Sequence, residues 1–122
     1  MIYHRLFYFC TMKKLEHIGI AVKDLGNANI LFEKLFNRAH YKLEEVQSEG
    51  VNTSFFQLGA TKIELLQATK PDSPIAKFIA KNGEGIHHIA FEVDNIDSEM
   101  NRLMSEGFEL IHFEAKEGAD NK

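Results

Sequence analysis

A chain of 122 residues is one domain's worth of sequence, long enough to bury a hydrophobic core without disulfide staples. A formal net charge of −4, with no basic run longer than Lys13-Lys14, excludes the electrostatic footprint of a nucleic-acid binder and points to a small-molecule or protein partner. The single cysteine, Cys10, cannot form an internal disulfide, which suits a cytoplasmic setting.

The opening segment MIYHRLFYFCTM is apolar and aromatic, but it carries His4 and Arg5 and falls far short of the roughly 20 residues that a bilayer span needs. It also lacks the long apolar run and small-residue cleavage site of a signal peptide. Regular patterning starts at Leu15, so residues 1–11 read as an extension outside the fold and residues 12–122 as one domain.

In HIGIAVKDL, Ile18, Ile20 and Val22 alternate on one face and are expected to pack under helices. His17, Gly19 and Ala21 share the opposite face, which reads as open and shallow. Asp24 is placed to cap a helix over LGNANILFEKLF. Two further strands, NTSFFQL and TKIELLQA, flank the turn signal Gly59-Ala60; in the second, Ile63 and Leu65 face the core while Glu64 and Leu66 face the other way. TKPDSPIAKFIAKNGEG reads as a loop and short helix, with Ser73 as cap, Pro74 at its first position and Gly83 past its end. In the strand GIHHIAFEV, Ile89, Phe91 and Val93 form the apolar face. His88, Ala90 and Glu92 form the other, which leaves His87 pointing toward the core or its edge. Asp97 is then expected to cap SEMNRLMSEG, with Gly107 in the left-handed position that ends it.

An internal repeat organises these elements. HIGIAVKDL lies over HIAFEVDNI with an offset of 71 residues, His17 over His88, and EEVQSEGVN lies over HFEAKEGAD with an offset of 68. The first module reads βαβββ; the second reads βαβ and ends at Lys122 without counterparts of residues 55–68. The expected fold is α+β, built of paired βαβββ modules, the second incomplete.

A lone strand histidine is more often a hydrogen-bonded structural residue than a ligand, and a lone strand glutamate is more often solvated. Two histidines at equivalent places in a repeat, with an acid of the same facing on a third strand, tip that balance toward a metal site made of His17, Glu64 and His88. Imidazole and carboxylate donors together suit Co, Ni, Zn or Mn. The small residues beside each histidine read as space for a ligand.

The motifs EHIGIAVKDL, TKIELL and GIHHIAFEVDNI, in this order, resemble the vicinal oxygen chelate superfamily, which also holds glyoxalases, dioxygenases and antibiotic-resistance proteins. The stretch PDSPIAKFIAKNGEGIHHIAFEV, residues 71–93, is more specific and resembles the methylmalonyl-CoA epimerases. The likeness covers residues 15–122. It implies metal binding at His17, His88 and Glu64, and a general base at Glu49, the acid before the Gly-Val pair of SEGV. The family's last metal ligand, a glutamate on the final strand of the second module, has no counterpart, so the chain reads as truncated at its C-terminus. The implied activity is epimerisation of an acyl-CoA thioester by proton abstraction at C2, with Co2+ as first choice and Ni2+, Mn2+ or Zn2+ as alternatives, in a homodimer. The alternatives are a glyoxalase I and a non-catalytic small-molecule-binding module of the same fold.

Overall fold

The computed structural model describes residues 12–111. The expected extension at 1–11 and the repeat segment at 112–120 lie outside the described residues. In chain order the elements are β1 (Met12–Ala21), α1 (Leu25–Phe36), β2 (Lys42–Val46), a 3-10 turn (Gln47–Glu49), β3 (Val51–Leu58), β4 (Thr61–Ala68), α2 (Pro74–Asn82), β5 (Gly85–Val93) and α3 (Ile96–Ser105). The fold is mixed α+β, with a sheet in the order β2-β3-β4-β1-β5. Strands β2, β3 and β4 form an antiparallel meander, and β4 pairs in parallel with β1. The first module is therefore the βαβββ unit expected. The described residues fall into two compact units, residues 15–90 and, separately, residues 12–14 with 91–111. No helix among the described residues is long and apolar enough to cross a membrane.

Local chemistry sets the helix ends. Asp24 Oδ1 accepts the Asn27 N–H at 2.9 Å, and Asn37 closes α1 in the left-handed conformation. Ser73 caps α2 through the Ala76 N–H at 3.1 Å, with Pro74 in the first turn, where its missing N–H costs nothing. At α3 the sequence expectation needs correcting: Asn95, not Asp97, is the cap, its Oδ1 accepting the Ser98 N–H at 3.0 Å. Asn95 has the extended backbone a cap requires, whereas Asp97 already lies in the first turn, where its charge favours the helix dipole. Gly107 follows in the left-handed region, as expected.

Within residues 15–90 both sheet faces are covered. On one face Val22, Phe56, Ile63 and Leu65 are buried, with Ile18 and Ile20 packed against Leu25, Ala28, Phe32 and Phe36 of the α1 segment. On the other, Ala21, Val51, Leu66 and Ile75 are buried, with Phe78 and Ile79 of α2 beside them. The facing of β1 and β4 is as read from the sequence, but the His17 face is not open along its length: α2 roofs its Ala21 end. The apolar side of β5 also departs from expectation. Ile89 and Phe91 are 53% and 47% exposed; among the described residues β5 stands at the end of the strand order, and neither residue belongs to an apolar cluster.

Candidate metal centre

Three neighbouring strands, β4, β1 and β5, each deliver one donor to the uncovered end of the α2 face. In the β1/β4 register Gly19 stands opposite Glu64, and in the β3/β4 register Phe55 stands opposite Glu64. Directly opposed residues share a face. The Glu64 carboxylate is therefore walled by the fully buried Phe55 on one side and by bare backbone on the other, and Glu64 is itself buried. His17 lies two residues before Gly19, and its Nδ1 sits 3.3 Å from Glu64 Oε2. His88 reaches the same place from β5: its Nε2 lies 3.0 Å from His17 Nε2, with the two rings edge to face. One donor atom from each of His17, Glu64 and His88 lies within 4.8 Å of the others.

Gly19 makes this convergence sterically feasible. A Cβ there would lie 2.3 Å from His88 Cε1 and 2.7 Å from both ring nitrogens. The sequence expectation that small residues leave room for a ligand is thus corrected: the space at Gly19 is filled by the His88 imidazole, and Ala21 is buried under α2.

A carboxylate the sequence reading passed over organises the site. Glu16 Oε1 accepts a hydrogen bond from His17 Nδ1 at 2.6 Å, and Glu16 Oε2 is 3.2 Å from Lys62 Nζ, with all three side chains largely buried. Burial raises the Glu16 carboxyl, but the bonds from His17 and Lys62 outweigh it and hold the group below its ordinary value. His87 lies at the edge of the core, as read from the sequence, its ring edge to face on Phe78 at 5.0 Å; its Nδ1 also lies 2.9 Å from His88 Nδ1, which links it to the site. Burial, then the nearby His17 and His87, push His88 down to about 4, so it is neutral at physiological pH. Glu49 is not part of the cluster; it sits exposed in the 3-10 turn between β2 and β3, which Gly50 closes in the left-handed region.

The donor set fits a divalent ion. Two imidazoles and one carboxylate match the preference of borderline metals, and three protein donors leave positions for an exchangeable ligand.

A small βαβββ module with this His/Glu/His face defines a class, and the sequence comparison gives the same one: residues 16–122 match the model of the Glyoxalase/Bleomycin resistance protein/Dioxygenase superfamily, and the chain belongs to that superfamily. Within it, the chain is 37% identical over 111 residues to the ethylmalonyl-CoA/methylmalonyl-CoA epimerase of Cereibacter sphaeroides, covering 89% of this chain and 83% of that protein. It is 37% identical over 113 residues to the human mitochondrial methylmalonyl-CoA epimerase, covering 92% of this chain but 64% of the human protein. Among solved structures it superposes on a Streptomyces coelicolor methylmalonyl-CoA epimerase variant in complex with 2-nitronate-propionyl-CoA. There the TM-score is 0.84 at 28% identity, covering 91% of this chain and 81% of that one.

Proposed function

We propose that the chain is a metal-assisted epimerase that interconverts the two C2 stereoisomers of methylmalonyl-CoA. The observation that carries the reading is the convergence of His17, Glu64 and His88, in a chain whose relatives across most of their length include an epimerase of this substrate. The chemical difficulty is a weakly acidic proton on a carbon beside a thioester. A divalent ion held by His17, Glu64 and His88, Co2+ in the first instance, supplies Lewis-acid stabilisation of the negative charge that moves onto the thioester oxygen. His17 and His88 serve it as neutral donors, and Glu64, buried between Phe55 and Gly19, serves as the anionic one. Glu49 takes the C2 proton as general base from its exposed place on a turn held by Gly50, and a proton delivered from solvent to the opposite face of C2 completes the inversion. The protein acts as a homodimer on an acyl-CoA thioester.

The test is incubation of the Co2+-loaded chain with methylmalonyl-CoA in deuterated solvent. Washing of deuterium into C2, lost in His88→Ala, is the expected result. A metal-loaded protein that leaves C2 unlabelled would overturn the assignment, and turnover of a hemithioacetal instead would redirect it to glyoxalase chemistry.

A further inference from the structure

The hydrogen-bond polarity around the two histidines can be worked out from one end. An ionised carboxylate only accepts, so the 2.6 Å contact between Glu16 Oε1 and His17 Nδ1 fixes the His17 hydrogen on Nδ1. Lys62 beside Glu16 keeps that carboxylate charged. In the neutral ring, the form that can bind a metal, His17 Nε2 then carries the lone pair, and across 3.0 Å it accepts from His88 Nε2–H. His88 Nδ1 is left with a lone pair in turn, and across 2.9 Å it accepts from His87 Nδ1–H. Every hydrogen in the chain His87–His88–His17–Glu16 points toward Glu16.

We propose that Glu16 and His87, each the residue immediately before a ligand histidine, are positioning residues that set which ring nitrogen His17 and His88 offer to a metal. This rests on the reading of His17 and His88 as ligands. The two positions are equivalent in the repeat, since the offset of 71 that brings His17 onto His88 brings Glu16 onto His87. They do not act alike. Glu16 presets His17, because with the hydrogen held on Nδ1 the Nε2 lone pair is ready before any metal arrives, and the adjacent negative charge makes that nitrogen a stronger donor. His88 is not preset: its Nε2 carries the hydrogen. To offer that nitrogen it must move its hydrogen to Nδ1 and donate it to His87, which then holds its own hydrogen on Nε2. His87 can serve in both arrangements because an imidazole can accept or donate at Nδ1, and Phe78 holds its ring edge-on in place. A methyl side chain at position 87 could not follow the reversal.

The experiment uses the 15N-labelled chain and long-range 1H–15N spectra of the imidazoles near neutral pH, first metal-free and then with Zn2+. His17 is expected as the Nδ1–H form in both states, and His88 as Nε2–H before Zn2+ and Nδ1–H after it. A metal-free His17 in the Nε2–H form overturns the inference without requiring any variant to fold. In calorimetric titration Glu16→Ala, which leaves only the longer 3.3 Å contact of Glu64 Oε2 at His17 Nδ1, should weaken Zn2+ binding about 10- to 100-fold and weaken the His17 preference for the Nδ1–H form. Glu16→Gln, whose amide oxygen still accepts from Nδ1–H, should recover most of both. His87→Phe should weaken Zn2+ binding while leaving the His17 spectrum unchanged. Wild-type Zn2+ affinity in a folded Glu16→Ala protein would overturn the proposal. Zn2+ binding with the wrong His17 tautomer defeats this inference alone; no Zn2+ binding by the wild-type chain defeats the ligand reading beneath it.

Discussion

Replacing Gly19 with alanine tests the geometry of the site with a single methyl group. The added Cβ would stand 2.3 Å from His88 Cε1 and 2.7 Å from Nδ1 and Nε2. Carbon atoms rest at about 3.5–4.0 Å, so the imidazole must retreat by more than about 1 Å. Metal ligation tolerates errors of about 0.2 Å, so the retreat removes His88 from the donor set. Folding is affected less. Alanine is favoured over glycine in a strand by about 0.5–1 kcal/mol, while crowding costs about 1–3 kcal/mol, leaving a net loss between about 0 and 2.5 kcal/mol. Gly85→Ala is the control, because a Cβ there meets nothing within 4 Å. Zn2+ titration by calorimetry, paired with urea denaturation, should show Gly19→Ala folded but weakened in binding by about 100-fold or more, with Gly85→Ala indistinguishable from wild type. Equal Zn2+ affinity in the two variants would refute the claim that His88 needs the space above Gly19.

Three further outcomes are expected. His88 is held at about 4 in the fold against 6.5 when unfolded, so its contribution to stability is complete above about pH 6.5 and is lost as pH falls toward 4. The full shift is worth about 3 kcal/mol, which the ring's partial exposure reduces to on the order of 1–2 kcal/mol. Urea midpoints across this range should fall in the wild type more steeply than in His88→Gln; parallel profiles would count against it. Glu49→Gln should lose about 10²- to 10⁴-fold in turnover while binding Zn2+ unchanged, and near-normal epimerisation by that variant would remove Glu49 from the chemistry. Phe56→Ala, which empties a fully buried site where Phe32 and Phe36 meet Phe56, should cost about 3–5 kcal/mol in chemical denaturation; a loss below 1 kcal/mol, on the order of a surface change, would contradict the packing.

What could be read from the sequence was whatever is encoded by neighbours along the chain. Asp24, Ser73-Pro74 and Gly83 sit within a few residues of the groups they cap, and the period-two facing of β1 and β4 follows from alternation alone. The repeat carried the facing of His88, since matching it to His17 needed no coordinates. What could not be read depends on distant residues or on a choice between near equals. Asn95 and Asp97 are both good caps two positions apart, and only the observed backbone decides between them. Glu16, in the polar run KKLEH, has the look of a solvated strand residue; its burial and its hold on His17 depend on Lys62 arriving from β4. The role of Gly19 was hidden because the atoms that fill its space belong to a residue 69 positions away.

The parallel pairing of β1 with β4 gives the site a history as well as a shape. Strands joined in parallel need a long crossover, here running through α1, β2 and β3, so the register His17↔Lys62 closes only after the intervening module has organised. His17, Glu64 and His88 therefore do not exist as a chelating set in the unfolded chain, and non-local closures of this kind come late and slowly. An ion that recognises the set recognises the finished sheet alone. Its binding energy accordingly acts as a latch on the native state, holding three strands against separation without hastening their first encounter.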